Sequence, residues 1–167
     1  MYRMSSGLYK TSKIAFLALA ISLAANAASA QNAAAVVKER QEIMKSLFPL
    51  LRGASQVAKG ESTDVASIPA KTQEAVAAVQ KFASLFPTGS GRENVPDTRA
   101  TPAVWTEKAA FDAAIAKLVA ETQKLGDVAK TGNVDAVKTQ WTAASEACGG
   151  CHGGPSKSGG KFRFEAQ

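Results

Sequence analysis

The chain has 167 residues, of which 46% are hydrophobic and 20% charged, and this length and composition are typical of one ordinary domain. Its formal net charge is +6, but Arg3, Lys10 and Lys13 fall within the first thirty residues, where there is no acidic residue. Without that segment the charge falls from +6 to +3, which is too mild to indicate a nucleic-acid partner. No hydrophobic stretch beyond that segment is long enough to predict a membrane span.

Residues 1–30 are typical of a secretory signal peptide. Two lysines precede the apolar run Ile14–Ala25, and the small-residue triplet Ala28–Ala30 stands before Gln31 as a cleavage site. The alternative is a retained membrane anchor, but this run is shorter than the roughly 20 residues that a spanning helix needs. The sequence therefore predicts a periplasmic protein with a mature domain at 31–167, which does not contact the membrane once the signal is cleaved.

Four helical segments are expected in the mature chain, and no strand. Apolar residues at three-and-four spacing predict the first helix over residues 33–59, with a kink or interruption at Pro49, which lacks a backbone donor. The same spacing predicts the second helix over 67–86, which Pro87 ends.

The second half of the chain begins with a predicted loop at 88–101, rich in glycine, proline and polar residues. The third helix is expected over 101–129, opened by Thr101 and Pro102, and the fourth runs from Val134 to the cysteine pair. Four amphipathic helices in one small domain predict an all-α four-helix bundle. A tail rich in glycine and serine follows.

The cysteines and the histidine of the chain form one short motif. The only two cysteines are Cys148 and Cys151, and the only histidine, His152, follows directly. Cys-x-x-Cys-His is the attachment pattern of haem c. Two thiols three residues apart on a helix can each add to one vinyl group of the same porphyrin, and the adjacent imidazole can then project toward the iron. We therefore predict one covalent haem c, attached by both cysteines, with His152 as the proximal iron ligand.

Three other kinds of site contain a similar group of residues. A thiol–disulfide redox motif usually begins a helix after a strand, whereas this one ends a helix. A structural zinc site needs about four ligands, and only three strong ligands exist here. A plain disulfide in an oxidising compartment gives His152 no role.

The sequence resembles the class II cytochromes c, a family that comprises cytochrome c′ and its low-spin relatives with histidine–methionine ligation. The resemblance rests on Arg40–Met44 in the first helix, Pro102–Trp105 at the start of the third, and Cys148–His152 near the C-terminus. It implies an antiparallel four-helix bundle with haem near the C-terminus, and a possible homodimer. Many relatives have a basic residue four positions after the haem histidine. Ser156 stands there in this chain, so Lys161 or Arg163 is the candidate to supply that charge.

The resemblance also bears on the distal side of the haem. Met44 is the only methionine outside the predicted signal peptide, and it lies four residues after Arg40, the position at which low-spin relatives place their methionine ligand. This implies that Met44 is the distal iron ligand; the alternative is that it packs in the core. Arg40 lies one turn earlier and is expected either to contact a haem propionate or to be a solvated surface residue.

We therefore expect a periplasmic single-electron carrier with His152/Met44 ligation, which exchanges electrons with redox partner proteins and catalyses no reaction. The alternative is a five-coordinate cytochrome c′ that binds nitric oxide or carbon monoxide, with Met44 packed beside the haem. A thiol–disulfide enzyme without haem is a third, remote possibility.

Overall fold

The computed structural model describes residues 10–153 and 159–165, with residues 10–31 described by their backbone alone. Its helices are α1 (Lys10–Ala58), α2 (Ile68–Ala83), α3 (Ala103–Thr106), α4 (Lys108–Ala129) and α5 (Val134–His152). Within the described ranges, β structure is limited to isolated bridges that pair Arg163 with Ala100 and with Gly160. The all-α prediction is confirmed.

The four long helices form the predicted antiparallel four-helix bundle. Helix α2 packs against α4, α4 packs against α5, and α1 contacts both α2 and α5. Part of the core is a cluster that includes Val57, Ile68, Leu125 and Val137, each at most 2% exposed. Burial of side chains of this size stabilises a fold by about 1.5–3 kcal/mol each, so this cluster holds all four helices together.

Two helices differ from their predicted form. The third predicted helix is divided into α3 and α4 at Glu107, whose φ of −123° and ψ of 46° depart from helical values. Glu107 forms an ion pair of 2.5 Å with Lys161, a distant residue that periodicity in the third helix cannot reveal. The predicted interruption at Pro49 is absent, because α1 continues through that residue, which lies on the exposed side of the helix.

Helix α1 also contains the apolar run of the predicted signal peptide and continues without a break into the bundle. No helix in the described part of the chain has the length and hydropathy that a membrane span requires. Residues 1–9 of the predicted signal peptide lie outside the described residues, and the cleavage of residues 1–30 stays a prediction.

The two ends of α5 are fixed by local interactions. At its start, the Asn133 side-chain oxygen accepts a hydrogen bond from the Ala136 amide at 2.9 Å. At its end, Gly153 adopts a φ of +81°, a left-handed conformation that favours glycine after a helix. The motif from Cys148 to His152 therefore occupies the last turn of α5.

Candidate haem-binding site

The motif faces a cavity of about 360 Å³. All four long helices, the segment between α2 and α3, and the C-terminal segment contribute to its wall. Its lining residues are Val37, Arg40, Gln41, Met44, Lys45, Leu47, Phe82, Phe86, Thr98, Arg99, Ala100, Phe111, Ile115, Leu118, Ala147, Cys148, Cys151, His152, Phe162 and Arg163. The predicted haem residues Arg40, Met44, Cys148, Cys151 and His152 thus line a single cavity, and of the two candidate basic residues Arg163 lines it and Lys161 does not.

The two thiols lie in partly desolvated surroundings at the cavity. Cys148 keeps much of its surface accessible, but neighbouring atoms remove enough water from its sulfur to raise the pKa of the thiol. Its Sγ lies 3.5 Å from the Ala144 carbonyl oxygen. Desolvation, with a smaller effect from Cys148, raises the pKa of Cys151 to about 11. Both thiols are therefore mostly protonated near neutral pH.

His152 is half-buried, and its pKa is lowered from the ordinary value, first by desolvation and then by the positive charges of Arg163 and Arg99. These effects favour the neutral imidazole, which is the form that binds a metal ion. The electrostatic surroundings of His152 therefore suit an axial ligand of iron.

Aromatic rings form much of the apolar wall. Phe86 makes edge-to-face contacts with Phe82 and Phe111, each at 4.9 Å between centroids, and Phe111 makes one with Phe162 at 5.3 Å. A flat apolar macrocycle gains free energy by burial against such a wall. With two thiols and a neutral imidazole at the same cavity, the residues present fit a covalently attached haem.

Arg40 is buried, with 4% of its surface exposed, so the expectation of a solvated surface arginine is wrong. Its Nη2 donates to the Ser90 carbonyl oxygen at 2.8 Å and to Thr98 Oγ1 at 3.2 Å, and its Nη1 donates to Ser90 Oγ at 3.4 Å. The guanidinium carbon also lies 4.4 Å from the centre of the Phe86 ring. Desolvation lowers the pKa of Arg40 to about 10, so the group stays charged at neutral pH.

Met44 is half-buried and shares the cavity lining with Leu47 and Leu118. This placement brings it to the same cavity as His152, as the sequence led us to expect. A flexible thioether fills an apolar wall as readily as a leucine does, so the placement alone does not distinguish a ligand from a wall residue.

Sequence reasoning missed the contribution of Phe162 to the cavity wall. This residue follows the glycine-rich tail and belongs to a segment too short to have helical or strand periodicity. The only available signal was local: Phe162 and Phe164 alternate with basic residues directly after the glycines.

Known proteins resemble the chain in sequence and in fold. Residues 35–154 match the family described as Cytochrome C'. The cytochrome c' of Rubrivivax gelatinosus is 31% identical over 115 residues, which cover 66% of this chain and 88% of that protein. Cytochrome c-556 of Rhodopseudomonas palustris is 29% identical over 136 residues, which cover 80% of this chain and 89% of that protein.

Among solved structures, cytochrome c' from Rubrivivax gelatinosus superposes with a TM-score of 0.67 at 24% identity, over 79% of this chain and 97% of that one. The nitric oxide complex of a mutant cytochrome c prime from Alcaligenes xylosoxidans gives a TM-score of 0.68 at 20% identity, over 80% and 97% of the two chains. At these identities the two structures support the four-helix fold.

These matches correct the functional prediction. The expectation of a single-electron carrier with His152/Met44 ligation, and of membership in the low-spin branch, is wrong, because the matched family is that of cytochrome c′. The error has a physical origin. As the only methionine outside the predicted signal peptide, Met44 was the only thioether that could bind iron, but availability does not establish a bond.

Proposed function

The chain belongs to the cytochrome c′ family and carries one covalent haem c, and on that premise we propose that it binds nitric oxide or carbon monoxide. Held by Cys148, Cys151 and His152, the haem would supply an iron able to bind a diatomic ligand. One observation carries the proposal: the cavity that contains the haem motif has a largely apolar wall, in which α1 places Met44 and Leu47 and α4 places Leu118. Uncharged diatomic gases are weakly hydrated and enter such a cavity at little cost in hydration free energy. Ionic ligands would lose strongly bound water on entering it.

The chain's own residues attach and orient the haem in this proposal. Cys148 and Cys151 would form the two thioethers, and the imidazole of His152 would bind the iron. Two features support these roles: the placement of all three side chains on the last turn of α5, and the lowered pKa of His152, which keeps its imidazole neutral.

Arg40 is proposed to contact a haem propionate. Its hydrogen bonds to Ser90 and Thr98 use three of the five N–H donors that a guanidinium carries, and the side chain lines the cavity. Two donors therefore remain for a carboxylate, and a charged donor in desolvated surroundings binds a carboxylate strongly.

Met44 is proposed as a wall residue that limits the size of the distal space. Its side chain brings no charge, and Lys45, the neighbouring basic residue at the cavity, is ion-paired with Glu42 at 2.9 Å. The proposal therefore gives Met44 a role in filling the distal space rather than a bond to iron.

We place the protein in the periplasm and expect it to bind ligands without transforming a substrate. The predicted signal peptide supports this location. The redox partner proteins and the homodimer stay predictions. Phe48 is 77% exposed on α1, and its burial would indicate that two copies of the chain form a dimer through this helix.

The test uses the holoprotein, produced with a haem c maturation system. The ferric and ferrous absorption spectra should be those of high-spin haem, and titration with carbon monoxide should convert the ferrous protein completely to a low-spin complex. A low-spin ferrous protein that takes up no carbon monoxide would contradict the proposal.

A further inference from the structure

The C-terminal segment Gly159–Glu165, which we call the strap, returns to the bundle and pairs with residues 99–101. The Thr101 amide donates to the Phe162 carbonyl at 3.2 Å, and the Phe164 amide donates to the Arg99 carbonyl at 2.8 Å. Two side chains add further bonds: Thr101 Oγ1 donates to the Lys161 carbonyl at 2.6 Å, and Arg99 Nη2 donates to the Phe164 carbonyl at 3.1 Å. These bonds fix the strap against a segment that itself lines the cavity.

The start of the strap packs directly on the end of α5. A Cβ atom on Gly160 would stand 2.8 Å from the Cys151 carbonyl oxygen and closer still to the Gly153 nitrogen. A Cβ atom on Gly153 would collide with the Gly159 carbonyl oxygen. Glycine is therefore needed on both sides, because backbone lies against backbone immediately behind the haem motif.

Phe162 extends the contact between the strap and α5 to the wall of the cavity. Its side chain is 6% exposed and packs in a cluster with Phe111 and Ile115, against which Cys151 also packs. Phe164 lies two residues further along the strap. The centre of its ring is 4.1 Å from the guanidinium carbon of Arg92, and the residue is absent from the cavity lining. Phe162 therefore contacts the surroundings of the haem motif, whereas Phe164, a residue of the same type on the same strap, does not line the cavity.

We propose that the strap is a positioning element for His152, in which Phe162 and the backbone at Gly160 hold the last turn of α5 in place. The inference rests on the proposed function, because it takes His152 to be the axial ligand. The last turn of a helix has carbonyl groups without helical partners and opens at low free-energy cost unless other groups pack on it. Since α5 ends at His152 itself, the strap supplies packing where further helical turns would otherwise stand.

The main test compares Phe162→Ala with Phe164→Ala in the ferrous holoprotein. Resonance Raman spectroscopy measures the iron–histidine stretching band, which reports directly on the bond to His152. Phe162→Ala should shift and broaden this band, and Phe162→Leu, which refills most of the space, should restore it. Phe164→Ala should leave the band unchanged. Equal bands in both alanine variants would overturn the proposal.

A backbone variant provides an independent comparison that does not depend on the folding of Phe162→Ala. Gly160→Ala inserts a methyl group between the strap and α5 and should also shift the band. The matched control is Gly53→Ala, whose Cβ would meet only Ser67 Oγ at an ordinary 3.7 Å. An unchanged band in Gly160→Ala, with the chain folded, would refute the role of the strap.

A second readout does not depend on the coordination state of the haem iron. The Gly153 amide donates to the Gly149 carbonyl at 2.8 Å, and its hydrogen exchange in the holoprotein reports opening of the last turn. Phe162→Ala and Gly160→Ala should accelerate this exchange by about tenfold or more relative to their controls, because the first removes a buried ring and the second overpacks the contact between strap and helix. If Phe162→Ala and Gly160→Ala exchange at the rates of their controls, the strap does not hold the last turn of α5 in place. A wild-type protein without five-coordinate ferrous haem would contradict the proposed function alone, since the exchange comparison would still decide the role of the strap.

Discussion

Replacement of Arg40 by methionine tests whether this buried charge anchors the segment between α2 and α3 to α1. Methionine retains most of the side-chain volume but removes the guanidinium. The two shorter hydrogen bonds, to Ser90 at 2.8 Å and Thr98 at 3.2 Å, should contribute about 1.5–3 kcal/mol each, as bonds to charged groups do. The contact with Phe86 at 4.4 Å adds about 0.5–2 kcal/mol.

Burial of the charge opposes these contributions. The pKa of Arg40 falls from 12.5 to about 10, which corresponds to a cost of about 3 kcal/mol. Because the pKa of the folded state is lowered, this cost is fully present at pH 7 and is relieved only as the pH rises through about 10. The balance is a loss of about 2 kcal/mol in the free energy of unfolding for Arg40→Met.

The assay is urea denaturation of the holoprotein at pH 7, followed by circular dichroism. Arg52→Met is the matched control, because Arg52 lies exposed on the same helix and should change stability by less than about 0.5 kcal/mol. Arg40→Lys should lose most of the same free energy, because an ammonium group cannot form the forked set of bonds. If Arg40→Met unfolds at the same urea concentration as Arg52→Met, Arg40 does not anchor the segment.

Three further predictions concern the haem itself. Cys148→Ala or Cys151→Ala should weaken or abolish covalent haem retention, measured by intact mass after acid–acetone extraction; a wild-type mass without haem would contradict the attachment. His152→Ala should change the absorption spectra of both oxidation states, because the cavity loses its imidazole, and unchanged spectra would refute His152 as ligand. Met44→Leu should leave the protein high-spin and able to bind carbon monoxide, at a cost of about 1.5 kcal/mol or less in stability; conversion from low-spin to high-spin would instead identify Met44 as a ligand.

Helical periodicity predicted α5 well, because its stripe is continuous in the sequence and packs against neighbouring helices. Val137 and Ala144 belong to that stripe and are buried. The adjacent Cys-x-x-Cys-His motif identified the cofactor from local spacing alone, and the family matches support one covalent haem c. Local sequence patterns were sufficient for features that depend on a single helix, such as the buried stripe of α5 and the haem motif at its end.

The features that escaped prediction depend on residues distant in sequence. Arg40 is buried by partners 50 and 58 residues away, and no periodicity in the first helix distinguishes it from an exposed arginine. Glu107, where the third predicted helix is divided, pairs with Lys161 of the C-terminal strap, and Phe162 belongs to the same strap, which carries no regular pattern. The choice between a thioether bond and a thioether wall depends on where the Met44 sulfur lies, which a residue type cannot convey.

The long separation between the strap and its partners bears on the order in which the protein folds. Thr101 pairs with Phe162 across about sixty residues, so this contact costs loop-closure entropy that contacts between consecutive helices do not. We therefore expect the bundle to assemble first and the strap to close later, which leaves an interval in which Cys148 and Cys151 are presented on a formed helix with one wall of the cavity still missing. Attachment of a bulky porphyrin would take place in that interval, before Phe162 closes behind it.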